Sequence, residues 1–257
     1  MKSARKNWSR DELIIVFNLY CRTPFGRIHK TNPDIIEMSK NIGRTPSAVA
    51  MKMVNFASLD PFHKKRSVKG LAHGSQQDKL IWDEFNNDWE TLAYESQKIL
   101  YQLCHVEDQE KSIQAELYKD IQKTELKRNV KVRLVQNFFR ETVLASYDFA
   151  CAVCLLSVPE MLNASHIIPW SKSKLRRVDP RNGLSLCVMH DRAFDRGLIS
   201  IDRDYCVIIS KKLKTKRRCR MFEIAFREMN GKRIKIPDRF LPDQIALDYH
   251  REEIFLK

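Results

Sequence analysis

The sequence predicts an α+β fold that is mainly helical, and three observations carry that prediction. Three short capped helical segments open the chain, and a stretch of helical periodicity follows them. Further on, two strand-like runs flank a proline-containing loop and lead into a helix, which makes a ββα unit. The expected architecture is a trihelical, helix-turn-helix-like unit over residues 1–62, a basic linker with a helical connector over 63–129, and a domain built on the ββα unit with a C-terminal helical extension over 130–257.

Charge divides the chain in a similar way. Lys and Arg total 46 against 32 acids, for a net charge of +14 and a pI near 9.5. Residues 1–74 carry +9, residues 75–130 carry −5 and residues 131–257 carry +10. An excess of this kind points to a polyanionic partner, nucleic acid before membrane. The pattern reads as two nucleic-acid-facing modules on a neutral-to-acidic connector.

The first helix is capped by Ser9, carries Leu13, Ile14, Phe17, Leu19 and Tyr20 as its apolar positions, and ends before Pro24. Asn32-Pro33 opens a second helix with Ile35, Ile36 and Met38 on one side and Gly43 as its stop. Thr45-Pro46 opens a third, TPSAVAMKMVNFASL. A third helix entered by a tight Gly-Arg-Thr turn has the outline of a helix-turn-helix, and the unit resembles Myb/SANT-like or homeodomain-like bundles. Arg44 in that turn and Lys52 on the third helix are its expected DNA contacts.

Residues 61–75 combine Pro, Gly and a basic run and read as a linker. From Gln76 to about Lys127 the apolar spacing is helical, with Leu80, Ile81, Phe85, Trp89, Leu92 and Ile99 expected as core rather than base-stacking platforms. Residues 105–127 are charged and only weakly periodic. A further helix, VKVRLVQNFFRETVLASYD, leads to Cys151.

The hydrophobic fraction of 43% is enough for real cores. No run approaches the roughly 18 apolar residues that span a bilayer, and residues 1–10 carry no apolar signal region. Seven cysteines, an odd number, are expected as reduced thiols, which places the protein in the cytoplasm.

The chemistry concentrates in three groups met in order. NASHIIPW supplies His166, DPRNGLSLCVMH supplies Asn182 and His190, and DRAFDRGLISID supplies Asp195 before strand-like LISID and YCVIIS. The connection SKSKLRRVDPR is basic, so Lys172, Lys174, Arg176 and Arg177 are expected to meet phosphates. The run KKLKTKRRCR, with seven Lys or Arg in ten residues, suits backbone tracking with counterion release.

These residues resemble the HNH, or ββα-metal, nuclease motif, including the HNH domains of restriction endonucleases directed at modified DNA. The motif covers about residues 151–200, and the flanking helix and strand extend the likeness to roughly 130–210. The resemblance implies that His166 is the general base, that Asn182 holds the loop and the base, and that His190 is a metal ligand. Hydrolysis of a phosphodiester needs an activated water, which a neutral imidazole supplies. It also needs charge relief on the phosphate and the departing oxygen, which one divalent cation, Mg²⁺ or Mn²⁺, provides.

The residue before the base is Ser165, where many HNH sites carry Asp or His. Asp195 is expected to replace that metal ligand, with Asp191 as its competitor. Cys151-x-x-Cys154 and Cys187-x-x-His190 also bracket the ββα unit as two knuckles of a structural zinc site would. That arrangement would consume His190, so the adopted expectation is buried thiols without zinc. The implied partner is double-stranded DNA, with no membrane. Because one HNH unit cuts one strand, double-strand cleavage would favour a homodimer or two sequential cuts. A restriction or defence enzyme is the leading reading; a DNA-binding regulator with a decayed HNH fold and a structure-specific or RNA nuclease are the others.

Overall fold

The computed structural model describes residues 7–65, 76–104, 125–214 and 219–257. Parts of the expected linker (66–75), of the weakly periodic segment (105–124) and of the basic run (215–218) lie outside them. The chain divides into two compact units, Met1–Phe138 and Phe139–Lys257.

In the first unit the caps act as their residue types require. Ser9 and Glu12 form a reciprocal capping box at the start of α1 (Arg10–Arg22). The Asn32 side chain accepts from the Asp34 amide to start α2 (Pro33–Asn41), and Thr45 accepts from the Ala48 amide to start α3 (Pro46–Leu59). A short α4 (Pro61–Lys65) follows, then α5 (Gln76–Phe85) and α6 (Trp89–Cys104).

The expected boundary at residue 62 is not where the chain divides. The rings of Phe17 and Phe56 lie 4.8 Å apart, and Trp82 of α5 meets Phe17 at 5.4 Å. Trp89 closes on the same ring at 6.4 Å. The Asn18 amide donates to Ser96 Oγ at 2.8 Å, joining α1 to α6. The supposed connector helices are therefore half of this core. The physical reason is size: about 50 residues in three helices bury too little surface to stand well alone.

The second unit begins within α7 (Glu125–Ser146). The antiparallel pair β1 (Leu162–His166) and β2 (Gly183–Cys187) comes next, then α8 (Val188–Asp195). This is the ββα unit read from the sequence, and a second hairpin, β3 (Ile199–Ile201) with β4 (Val207–Ile209), continues it. After Arg220–Phe222 the chain widens into a π-type turn at Glu223–Arg227. It closes with α9 (Gln244–Tyr249) and a second such turn, His250–Ile254.

That closing segment is held from within. The His250 ring stacks on Phe194 with centroids 3.6 Å apart. Its Nε2–H donates to the Phe194 carbonyl at 3.1 Å, and Nδ1 accepts from Ser200 Oγ at 2.8 Å. Burial pushes this imidazole down to about 4. Gly197, at φ +64°, lies against the Ile254 carbonyl with no room for a side chain. Among the described residues no helix is long and apolar enough to cross a membrane.

Candidate active site and metal centre

Strand β1 ends at His166, and the loop that leaves it is clamped. Asn182 is buried, and its side-chain oxygen accepts from the Ile168 amide at 2.8 Å. Its Nδ2 donates to the carbonyls of Ile168 at 3.0 Å and Arg176 at 3.1 Å. One side chain thus ties the start of the basic loop to its end. The Ile167 amide also donates to the Asn182 carbonyl at 2.9 Å.

His166 sits against this clamp. Its Nε2 lies 2.9 Å from the Arg177 carbonyl. A carbonyl only accepts, so the proton is on Nε2 and Nδ1 carries the lone pair. The ring stacks on Phe139 at 4.0 Å and 10°, and meets Trp170 edge-on at 5.7 Å. Burial lowers its pKa, and the Arg177 hydrogen bond offsets part of that. The result is a neutral imidazole with a fixed tautomer.

Sequence reasoning misses Phe139, and it misses the reason for Gly183. Gly183 pairs with His166 across the hairpin. A Cβ there would lie 2.5 Å from Val143 Cγ2 and 2.9 Å from Phe139 Cζ. The glycine lets α7 come close enough to place Phe139 on the histidine. The run NFFRETV and the dipeptide Asn-Gly are the visible signals.

His190 is placed elsewhere than expected. It is fully buried, with Nδ1 3.2 Å from Cys187 Sγ and 3.6 Å from Cys151 Sγ. The Sγ atoms of Cys154 and Cys187 are 3.9 Å apart. The four ligand atoms of Cys151, Cys154, Cys187 and His190 all lie within 4.8 Å of one another, a set that could hold a metal ion. Nε2–H of His190 donates to the Ala225 carbonyl at 2.8 Å, which orients the ring and frees Nδ1 toward the sulfurs.

The cysteine turn is shaped for this. The Cys151 carbonyl accepts from the Leu155 amide at 3.0 Å, and the Cys151 amide donates to the Leu156 carbonyl at 2.9 Å, with Leu155 at φ +63°. The Ala152 amide donates to the Ser185 carbonyl at 2.7 Å and docks the turn on β2. Electrostatics fit a shared negative charge. Hydrogen bonds from the Cys151 and Cys154 thiols hold Cys187 far below the usual thiol range, while the Cys151 contact pushes Cys154 up. Burial lowers the His190 pKa, but its hydrogen bonds to Cys151 and Cys187 outweigh this and raise it to about 10, so a metal bound at Nδ1 would have to displace a proton shared with these sulfurs.

The pairing of His190 with Asp195 is therefore corrected. Five residues along a helix turn a side chain by about 140° relative to the first. His190 points into the cysteines, and Asp195 is exposed at the last residue of α8. The neighbour of Asp195 is Asp191, whose charge helps raise the Asp195 carboxyl after desolvation. Asp191 itself accepts from Asn163 Nδ2 at 2.7 Å, linking α8 to β1. The expectation of buried thiols without a metal set is corrected as well, because three sulfurs converge on one imidazole.

The six expected DNA contacts separate into three kinds. Lys172 and Lys174 are both exposed on the loop after His166. Arg176 pairs with Asp243, and Arg177 donates to the Trp170 carbonyl at 2.8 Å with its guanidinium 5.0 Å from that ring. Arg44 and Lys52, in the first unit, are turned to internal work. Arg44 grips both Glu12 oxygens at 3.0 and 2.8 Å and lies over Trp8 at 4.6 Å. Lys52 is buried, 2.8 Å from Asp78 of α5, so neither side chain is presented to a phosphate as expected. The face of α3 that bears Lys52 turns inward because α5 covers it.

No curated protein matches the chain. The ββα unit, in which His166 and Asn182 close one loop beside a Cys₃His set, falls within a segment that a known family accounts for. Residues 151–202 match the family described as HNH endonuclease, the segment that holds His166, Asn182 and the Cys₃His set.

Proposed function

We propose that the protein is a metal-dependent DNA endonuclease of restriction or defence type, working in the cytoplasm on double-stranded DNA. The observation that carries this reading is the lock on His166: Nε2 is committed to the Arg177 carbonyl while Asn182 ties down the same loop. A base so held is neutral and aimed. Nδ1 of His166 takes a proton from water as the water oxygen bonds to phosphorus and the bond to the 3′ oxygen breaks. Asn182 positions the base, and Lys172 and Lys174 draw in the flanking phosphates.

With His190 committed to the cysteines, the carboxylates of Asp191 and Asp195 are the donors on α8 suited to a hard divalent cation such as Mg²⁺ or Mn²⁺. Such a cation supplies Lewis-acid relief of charge on the phosphate and the leaving oxygen. The Cys₃His set has the donor chemistry of structural zinc, which ties the cysteine turn, β2 and α8 together. Internal engagement of Arg44 and Lys52 favours DNA contact through the second unit. The test is nicking of modified and unmodified plasmid by wild type and His166→Ala with each cation. Metal-dependent nicking lost in the variant supports the reading; binding of plasmid with no cutting by either would favour a regulator.

A further inference from the structure

One side chain in the active-site loop has no internal use. Leu175 is 96% exposed, the highest among the exposed large apolar residues described, with Ile245 next at 68%. It stands between Lys172 and Lys174 on one side and Arg176 and Arg177 on the other. A leucine projected wholly into water among cations has no role in packing.

Its placement is nevertheless fixed. The Arg176 carbonyl accepts from Asn182 at 3.1 Å, and the Arg177 carbonyl accepts from His166 at 2.9 Å. The Arg176 guanidinium is tied to Asp243, and Arg177 is bound to the Trp170 carbonyl at 2.8 Å. On the other flank the Lys172 amide donates to the Pro169 carbonyl at 2.9 Å. Both sides of the loop are stapled, and the leucine is left at the outside of it. Two consecutive Cα steps put Leu175 within about 7.6 Å of Arg177, the residue that holds the base. That span is about two nucleotide rises along one strand, at roughly 3.4 Å each.

We infer that Leu175 is a wedge that enters the base stack of duplex DNA beside the cut phosphate. The inference rests on the endonuclease reading above. Apolar side chains inserted between base steps unstack and kink a duplex, at a cost offset by the contacts that the bend permits. Here the exposed Lys172 and Lys174 supply the phosphate attraction, and the wedge brings the strand to His166. Leu175 is thus a positioning residue, and its removal takes no contact from the fold.

The test is independent of recognition sequence. Closed circular plasmid is relaxed by a topoisomerase with the full-length His166→Ala protein bound, and the linking number is read on a gel. A wedge unwinds the duplex, so the distribution shifts with His166→Ala, loses the shift in His166→Ala/Leu175→Ala, and keeps it in His166→Ala/Leu175→Met. With His166 intact, Leu175→Ala lowers nicking by about tenfold or more, as loss of alignment does, and Leu175→Met restores it. An equal shift with and without Leu175, or undiminished nicking by Leu175→Ala, overturns the wedge and leaves the endonuclease standing. Failure of wild type to nick plasmid with Mg²⁺ or Mn²⁺ removes both.

Discussion

Gly183 lies directly across the hairpin from His166, and its missing side chain is what lets Phe139 stack on the histidine ring. The pair links a backbone requirement to the chemistry. Gly183→Ala forces Val143 or Phe139 to move, since the new Cβ would lie 2.5 and 2.9 Å from them. Overpacking of this kind costs about 1–3 kcal/mol. The expected result is a lower urea midpoint together with reduced nicking, measured on the same preparation.

The pH profile reports the same stack. His166 acts in its neutral form, and its folded pKa is lowered by burial. Cleavage therefore rises with pH and levels off above a midpoint below the ordinary imidazole value of about 6.5. Phe139→Ala opens the ring to water, so the midpoint moves up toward that value. Rate against pH for the two proteins checks both the sign and the cause.

His250 makes the fold acid-sensitive. Its folded pKa of about 4 is depressed from the unfolded value, so the stability it contributes is present above about 6.5 and is lost as pH falls toward 4. His250→Gln removes the titration and should flatten part of the loss of stability between those values, read by urea denaturation at each pH.

Zinc content and cleavage should separate into different residues. Purified protein should carry one zinc per chain, and Cys187→Ser or His190→Ala should lose it along with several kcal/mol of stability, since metal binding is coupled to folding. Asp195→Asn should keep the zinc and raise the Mg²⁺ concentration needed for nicking. Elemental analysis with a metal titration checks this. His190→Ala that keeps its zinc and fails only in Mg²⁺ activation would contradict the assignment.

Salt dependence distinguishes the cations. Lys172→Ala/Lys174→Ala should reduce the slope of log affinity against log salt by about 2, at roughly 0.9 per phosphate contact. Arg44→Ala should leave that slope alone and lower stability, because its guanidinium is spent on Glu12 and the Asn7 carbonyl. Fluorescence anisotropy on a labelled duplex reads the slope, and urea denaturation reads the stability.

The ββα unit is legible in the sequence because its signals are local. Strands, loop and helix fall within residues 162–195, and the side chains that close the loop, His166 and Asn182, are part of the motif itself. The features that escape a sequence reading depend on distant chain. Lys52 looks like a surface cation until Asp78, 26 residues away, is brought to it. His190 reads from its motif as a catalytic-metal ligand, and only the fold brings Cys151, 39 residues earlier, to within 3.6 Å of its Nδ1. Phe139 acts through ring stacking, which no spacing rule encodes. The trihelical outline is correct in its caps and incomplete in its core, because Trp82 and Trp89 look like part of a separate helical stretch.

The most direct test is nicking of supercoiled plasmid with Mg²⁺ or Mn²⁺ by wild type and by His166→Ala, with zinc content and urea midpoint measured on both. The predicted result is metal-dependent nicking that falls by about a hundredfold or more in the variant, with zinc retained and the fold intact. Nicking that survives in a folded, zinc-loaded His166→Ala protein would contradict the assignment of the base.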